Sequence, residues 1–373
     1  MKKIIFTLLF FVSFWITFGN NSETFQLLDI NQSNSITNDT SFTPSGKPII
    51  QLFGNINYNP TQDVTKRVGF YIARAYLGYE YQFSKQFSGK IVIDAGRPTT
   101  VGTLMVWDTS GNQMFVSNTS KEGSFYTMFL KFAFLEWSPG SKFKLIAGAI
   151  PLNHYITQEK FWKYRYVAEM FQDRYLKTPS ADIGMIAYYK PSPILGFDLA
   201  VTNGEGFRFD QDKFSDFKVG AGIDLILFKN WKNRLYYDFQ KGQNPNLPEL
   251  QQTISFFTGY QLKEKFRIGA DLTWRINQND VSKQHTYGYS LFGVYDWSSK
   301  WGVMIRWDQV MSNRDQLTLP GWTYQVDGIG MIGGIQFIPI PKMKFSLNYQ
   351  GFKPQNSTLI FQHNIFLNVD FSL

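Results

Sequence analysis

The stretch 67–96, RVGFYIARAYLGYEYQFSKQFSGKIVIDAG, alternates between apolar and polar residues. One parity carries Tyr71, Ala73, Ala75, Leu77, Tyr79, Tyr81 and Phe83. The other parity carries Arg74 and Glu80. A period of two over this length predicts a strand with one apolar face. Residues 84–86 predict a tight turn, after which the alternation resumes, so the stretch predicts a long antiparallel hairpin with aromatic residues near its turn.

Short motifs in and beyond this hairpin occur in a fixed order. They are ARAYLG at 73–78, KFAF at 131–134, AGAIP at 147–151, DIG at 182–184 and TNGEG at 202–206. In this order they resemble the outer-membrane porins of the phosphate-selective O and P type of Gram-negative bacteria. The resemblance covers roughly residues 66–206, and it departs from the family at Ala181, where the family tends to have Arg. It implies a trimeric barrel that passes phosphate-like anions and has a loop near 151–180 folded inward.

The composition excludes several classes of protein. The chain has 373 residues, no cysteine and a formal net charge of +8, which becomes +6 when Lys2 and Lys3 are removed. Without cysteine there are no disulfides, so stability must come from burial and backbone hydrogen bonds. The charge is modest for this length and does not favour a nucleic-acid partner.

The chain divides into three predicted parts. Residues 1–19 read as a signal peptide, with a basic start and an apolar run too short for a comfortable membrane span. A transmembrane anchor is the alternative. Residues 20–47 are rich in Asn, Ser and Thr and predict a flexible periplasmic tail, or a segment that docks on a partner or inside the barrel. Residues 48–373 predict a barrel in the bacterial outer membrane, reached by export through the periplasm.

The rhythm of turns predicts the number of strands. Seven short turns and eight longer loops connect about sixteen strands of roughly ten residues in an antiparallel, all-β transmembrane barrel. In lipid a closed barrel pairs every backbone group, which open sheets cannot do. A soluble β-sandwich also alternates, but charges in the middle of so many strands opposite apolar faces argue against it.

No motif predicts an enzyme, a cofactor or a metal site. The sequence 328–333 matches G-x-G-x-x-G, but it lies within a predicted strand and no helix follows it. The histidines His154, His285 and His363 have no ligand spacing. We therefore interpret the glycine pattern as a chance match.

The predicted lumen carries as many acidic as basic residues, so selectivity requires a local cluster. The loop 151–180 contains more basic than acidic residues and has apolar residues at helical spacing. If it folds inward it constricts the pore; a solvated extracellular loop is the alternative. The loop 97–124 is unusually apolar and predicts a pore cap or a contact with a neighbouring protomer. The predicted pore-lining and constriction residues are Lys160, Lys163, Arg165, Arg174, Arg74, Arg267, Arg275 and Arg306.

These patterns predict a porin for passive diffusion of small hydrophilic solutes, and the resemblance implies that the solutes are anionic and phosphate-like. Predicted inward aromatics keep two other functions open: a structural barrel subunit of a larger outer-membrane assembly, and a transporter of apolar solutes. The predicted partners are outer-membrane lipid and lipopolysaccharide, small solutes, and either two further copies in a homotrimer or other outer-membrane proteins.

Overall fold

The computed structural model describes residues 42–62, 64, 65, 67–96, 104–107, 113–116, 127–209, 211, 216–228, 230–241, 249–313 and 326–373. The predicted signal peptide and nearly all of the predicted tail lie outside these ranges, as does most of the loop 97–124. The first strand begins at Ser45, so the end of the predicted tail belongs to the barrel. No helix in the described residues is long and apolar enough to span a membrane.

Sixteen antiparallel strands close into a barrel, which confirms the predicted fold class. The first eight barrel strands are β1 (Ser45–Tyr58), β2 (Val68–Gln82), β3 (Phe87–Gly96), β6 (Thr127–Gly140), β7 (Phe143–Pro151), β8 (Ala181–Ser192), β9 (Leu195–Thr202) and β10 (Lys218–Leu227). The other eight are β11 (Trp231–Gln240), β12 (Gln251–Leu262), β13 (Phe266–Ile276), β14 (Thr286–Asp296), β15 (Trp301–Ser312), β16 (Gly328–Ile340), β17 (Met343–Pro354) and β18 (Gln362–Ser372). Two short strands, β4 (Leu104–Trp107) and β5 (Gln113–Val116), pair with each other in a separate two-stranded sheet. Strand β1 pairs with β18, and this contact closes the ring.

Short turns gather at one end of the barrel and long loops at the other. Strands β2 and β3 are joined by residues 83–86, and β16 and β17 by residues 341 and 342. Exposed aromatic side chains, including Phe87, Trp137 and Trp301, ring the short-turn end. Such a ring is typical of the membrane–water interface of outer-membrane barrels.

The two faces of the strands follow the predicted parity where the strands are regular. On β10, Ala221 and Ile223 face outward, whereas Gly222 and Asp224 are buried inside. The same alternation runs along β13, where Arg267 and Asp271 are buried between exposed apolar residues. Local periodicity therefore identifies the lipid-facing side correctly on these strands.

Two β-bulges break this parity on β2 and β6, the two strands that flank β3. The register of β1 and β2 shifts so that Phe53 pairs with Arg74 but Gly54 pairs with Ile72, leaving Ala73 as the extra residue. The predicted outward face of the quoted hairpin is therefore wrong before the bulge: Phe70 and Ile72 are exposed there, not Tyr71 and Ala73. A second shift, between β3 and β6, leaves Lys131 as an extra residue.

The long connection between β7 and β8, residues 152–180, lies inside the barrel. We call it the inward loop. It contains two short helices, α1 (Ile156–Trp162) and α2 (Phe171–Leu176), each of which ends at a lysine in the left-handed conformation. A 3₁₀ turn lies at Gln278–Asp280, after β13.

Candidate functional site: the inward loop and the lumen wall

The inward loop crosses the lumen along the barrel axis and returns. It leaves β7 at the long-loop end, and α1 descends until Tyr164 lies beside Asp296 and Gly302 at the short-turn end. The chain then climbs through α2 until Arg275, near the long-loop end of β13, donates to the carbonyl of Leu176 at 2.9 Å. Of the two alternatives left open by the sequence, an infolded loop and a solvated extracellular loop, the structure shows the infolded one.

Apolar packing fixes one side of the inward loop to the wall. Phe161 and Trp162 of α1 pack on the inward rings of Phe257 and Phe292, with ring centroids 5.0–6.1 Å apart. Tyr166, Val167 and Met170 extend the same buried cluster. Burying this many large side chains is the main reason that the loop stays inside, since each contributes roughly 1.5–3 kcal/mol on burial.

Polar wall residues donate hydrogen bonds to five backbone carbonyls of the inward loop. The wall donors and loop acceptors are Arg234 to Asn153, Arg306 to Glu169, Arg275 to Leu176, Gln350 to Val167 and Asn368 to Tyr166, at 2.7–3.1 Å. Side-chain contacts add to these bonds, for example Thr157 donating to Asp224 at 2.8 Å and Tyr175 donating to Asp308 at 3.0 Å. Buried carbonyls need such donors, so these residues anchor the loop to β10, β11, β13, β15, β17 and β18.

The burial of inward side chains differs between the two sides of the barrel. Beneath the inward loop, the inward side chains in the body of β10–β15 are buried. On β2, β3 and β6 the inward side chains of Glu80, Lys90 and Glu136 keep 34 %, 30 % and 27 % of their surface exposed. Among the described residues, the partly exposed inward charges therefore lie along β2, β3 and β6 toward the short-turn end, whereas Val92 and Asp94 of β3 and Ile146 and Ile150 of β7 are buried. We call the side of the lumen along β2, β3 and β6 its open part.

The charged side of the inward loop faces this open part. Arg165 lies within 2.9 Å of Glu159 and Asp173 and 3.5 Å from Glu169, so three carboxylates surround one guanidinium. Burial would lower the pKa of Arg165, but the three carboxylates outweigh it and hold the pKa above its ordinary value. Burial, together with the nearby carboxylate of Glu169, raises the pKa of Asp173 to about 6. Burial alone would raise the pKa of Glu169, but the charges of Arg165 and Arg74 outweigh burial and hold this pKa below its ordinary value.

The eight predicted pore residues do not form one cluster. Lys160 and Lys163 are exposed on α1 toward the short-turn end, whereas Arg165 is enclosed by carboxylates and Arg174 donates to Gln350 at 3.1 Å. Arg267, Arg275 and Arg306 are buried. As a correction to the predicted set, these three arginines bind the loop or Asp296 instead of presenting charge to open space.

Arg74 is the predicted residue that faces the open lumen from the wall. Its guanidinium contacts Asp94 at 2.7 Å and Glu169 of the inward loop at 3.7 Å. Arg208 also reaches Asp94, at 3.5 Å, so two arginines share one carboxylate.

A second loop, which the sequence did not single out as functional, is fixed at the long-loop end by Asp182. The Asp182 carboxylate accepts hydrogen bonds from the backbone N–H groups of Gly204 and Gly206, at 2.6 and 3.2 Å. Both glycines have positive φ angles, 102° and 90°, which other residues rarely adopt. The motifs at 182–184 and 202–206 are thus the two halves of one structure, which places Phe207 and Arg208 over the lumen. The presence of both motifs was the signal that the sequence offered for this second loop.

Lys131 is a further lumen residue that the periodicity missed. The bulge in β6 turns both Lys131 and Phe132 inward, and the Lys131 ammonium donates to Tyr76 Oη at 2.9 Å. Bulges commonly redirect side chains at functional sites. The described residues contain no group of three or more His, Cys, Asp or Glu side chains that could hold a metal ion.

Comparison with known proteins supports the fold. No protein-family model matches the chain, and no curated protein matches it in sequence. Among solved structures, OprB of Pseudomonas putida has a TM-score of 0.62 at 11 % identity and covers 88 % of this chain and 94 % of its own. An anion-selective porin from Comamonas acidovorans has a TM-score of 0.62 at 10 % identity, over 89 % and 100 % of the two chains. OmpF of Salmonella typhi, in complex with daunomycin, has a TM-score of 0.59 at 13 % identity, over 87 % and 97 %.

These similarities define the class of fold, that of the outer-membrane porins. At such identities they show the fold and nothing finer. The narrower resemblance to the phosphate-selective O and P type stays a prediction.

Proposed function

We propose that this chain is an outer-membrane channel through which small hydrophilic solutes diffuse passively, narrowed by the inward loop. The observation that carries the proposal is the uneven burial of the wall, with partly exposed charged pairs along β2, β3 and β6. Those pairs, Glu80 with Lys90 at 3.3 Å and Glu136 with Lys144 at 3.5 Å, suit a wetted passage. The porin fold of the chain supports the same function.

The proposed location is the outer membrane, with the short turns toward the periplasm. Residues such as Ile91, with 51 % of its surface exposed, would contact lipid. The trimeric state remains a proposal that rests on the resemblance to porins.

Conductance in planar bilayers tests the channel directly. We expect discrete current steps from the wild-type protein, and larger steps when residues 157–175 are replaced by a short Gly/Ser linker, because the narrowest obstacle is removed. Replacement of the exposed turn 356–358 by the same kind of linker is the control, and should leave the step size unchanged.

A structural barrel subunit of a larger assembly is the second candidate. The dense anchoring of the inward loop to so many strands favours it, because a plug of this kind needs no passage. Current from the loop-replaced variant but none from the wild type would support this second function. A wild type that conducts, with larger steps after the replacement, would exclude it.

A further inference from the structure

We infer that Lys131, Arg208 and the aromatic rings around them form a binding subsite for organic carboxylates with an apolar body, such as benzoate. This inference rests on the proposed channel function and names a class of solute for it. The subsite lies on the open side of the lumen, at the wall of β2, β3 and β6.

Positive charge exceeds negative charge at this subsite. Arg74 and Arg208 share the buried carboxylate of Asp94, at 2.7 and 3.5 Å, and Arg74 also lies 3.7 Å from Glu169. Lys131 adds a third cation, so three cations face two carboxylates. In the described part of the chain no carboxylate lies within 4 Å of the Lys131 ammonium, although only 6 % of this residue is exposed. A mostly buried ammonium without a counter-ion is costly, and an anionic ligand would remove that cost.

The Lys131 ammonium also keeps hydrogen-bonding capacity. It has three N–H donors, and its hydrogen bond within the described residues goes to Tyr76 Oη. The other donors are available to the two oxygens of a carboxylate. Hydrogen bonds between charged partners are roughly twice as strong as neutral ones.

Aromatic rings surround both cations and supply an apolar contact surface. The Lys131 ammonium lies 4.4 Å from the ring centre of Tyr76 and 5.7 Å from that of Phe207. The Arg208 guanidinium lies 5.1 Å from the Phe207 ring centre and 5.5 Å from that of Phe129. Because Phe129 and Phe207 meet edge to face, their rings present a surface on which a ligand ring can pack.

Two features hold the subsite in place before any ligand binds. The bulge in β6 points Lys131 inward, and the Asp182 carboxylate holds the loop that carries Phe207 and Arg208. A preformed site loses less entropy on binding. Arg208 keeps 36 % of its side chain exposed, so the subsite is open to the lumen.

The test measures how benzoate, inorganic phosphate and benzyl alcohol reduce the chloride current through single channels. We expect benzoate to act at the lowest concentration, because it alone combines a carboxylate with a ring. The Lys131→Met change should raise the half-blocking concentration of benzoate about tenfold or more, the loss expected for a hydrogen bond to a charged group. Lys144→Met removes another inward lysine, next to Glu136, and should change the half-blocking concentration of benzoate less than about twofold.

Two further variants separate charge from packing. Arg208→Gln, in a loop outside the strands, should weaken benzoate block without disturbing the barrel, which heat-modifiability on gels checks. Phe129→Leu should weaken the block of the chloride current by benzoate but should leave the block by phosphate unchanged. Equal potency of benzoate and phosphate, or an unchanged benzoate response in Lys131→Met, would overturn the subsite.

Direct binding keeps this inference separate from the proposed channel function. If no variant conducts, the channel proposal fails, but calorimetric titration of the refolded protein with benzoate still tests the subsite. Binding that is lost in Lys131→Met and kept in Lys144→Met would support the subsite alone. Absence of binding by a conducting channel would reject the subsite alone.

Discussion

Arg165 shows why the charge of the inward loop cannot be counted along the sequence. The loop has more basic than acidic residues, and this excess predicted an anion-attracting constriction. The turn between α1 and α2 instead brings Glu159, Glu169 and Asp173 around one guanidinium. The contacts depend on how the two helices fold back on each other, which local sequence does not specify.

Asp173 predicts a pH dependence of ion selectivity. Its pKa is raised to about 6 by burial and by Glu169, above the ordinary 3.8, so the folded protein binds a proton that the unfolded chain releases. The group therefore destabilises the fold above about pH 6, and this cost disappears as the pH falls below that value. Protonation also removes a negative charge beside the open lumen, so reversal potentials should shift toward anions between pH 7.5 and pH 5.

The Asp173→Asn variant is the matched control for this prediction. It should show the low-pH selectivity already at pH 7.5 and little further change on acidification. An equal pH shift in Asp173→Asn and wild type would assign the effect to other groups.

At the scale of the strand, the period of two predicted which side chains face lipid and which face the lumen, because the geometry of a regular strand determines this. Alternation places side chains on opposite faces wherever a strand is regular, so the lipid-facing residues of β10 and β13 could be read from the sequence. The bulges at Ala73 and Lys131 could not, because nothing in the local alternation marks the extra residue. Each bulge exchanges the two faces, and the one in β6 turned a lysine of the KFAF motif into a lumen residue.

Ile91 and Lys90 give a test of the two faces on one strand. Ile91 is the central outward residue of β3, so Ile91→Lys should lower the free energy of unfolding in bilayers by about 2–4 kcal/mol, the cost of a cation near the bilayer centre. Lys90→Gln, one residue away, loses only the partly exposed pair with Glu80 and should cost about 0–1 kcal/mol. Urea titrations in lipid vesicles measure both, and similar costs would contradict the assignment of the faces.

At the scale of the whole molecule, the number of strands could be predicted from the sequence. The position of the inward loop and its contacts with the wall could be predicted only in part. Sixteen strands follow from repeated local patterns. The wall residues that hold the loop, such as Gln350 and Asn368, are far away in sequence, and no local pattern connects them to it. Arg275 and Arg306 therefore looked like pore residues although they anchor the loop.

The balance of charge across the lumen predicts the effect of removing Arg165. In Arg165→Gln the three carboxylates lose their shared cation, so the reversal potential should move toward cations at physiological salt. Lys163→Gln also removes one positive charge from the inward loop, but near the short-turn end, and should shift the reversal potential less. The triple change of Lys163, Arg165 and Arg174 to Gln should resemble Arg165→Gln alone; a larger effect from Lys163→Gln would place the selective region at the short-turn end.

The anchoring of the inward loop also constrains the order in which the molecule assembles. Tyr166 offers its carbonyl to Asn368, which lies 202 residues later and on the strand that closes the ring. The loop therefore cannot complete its final contacts until β18, the last strand of the ring, has taken its place. Contacts of such sequence separation form late and slowly in folding. Until closure, the buried aromatic residues of the loop have no wall to cover them, so the interval before ring closure is when the chain is most exposed to aggregation.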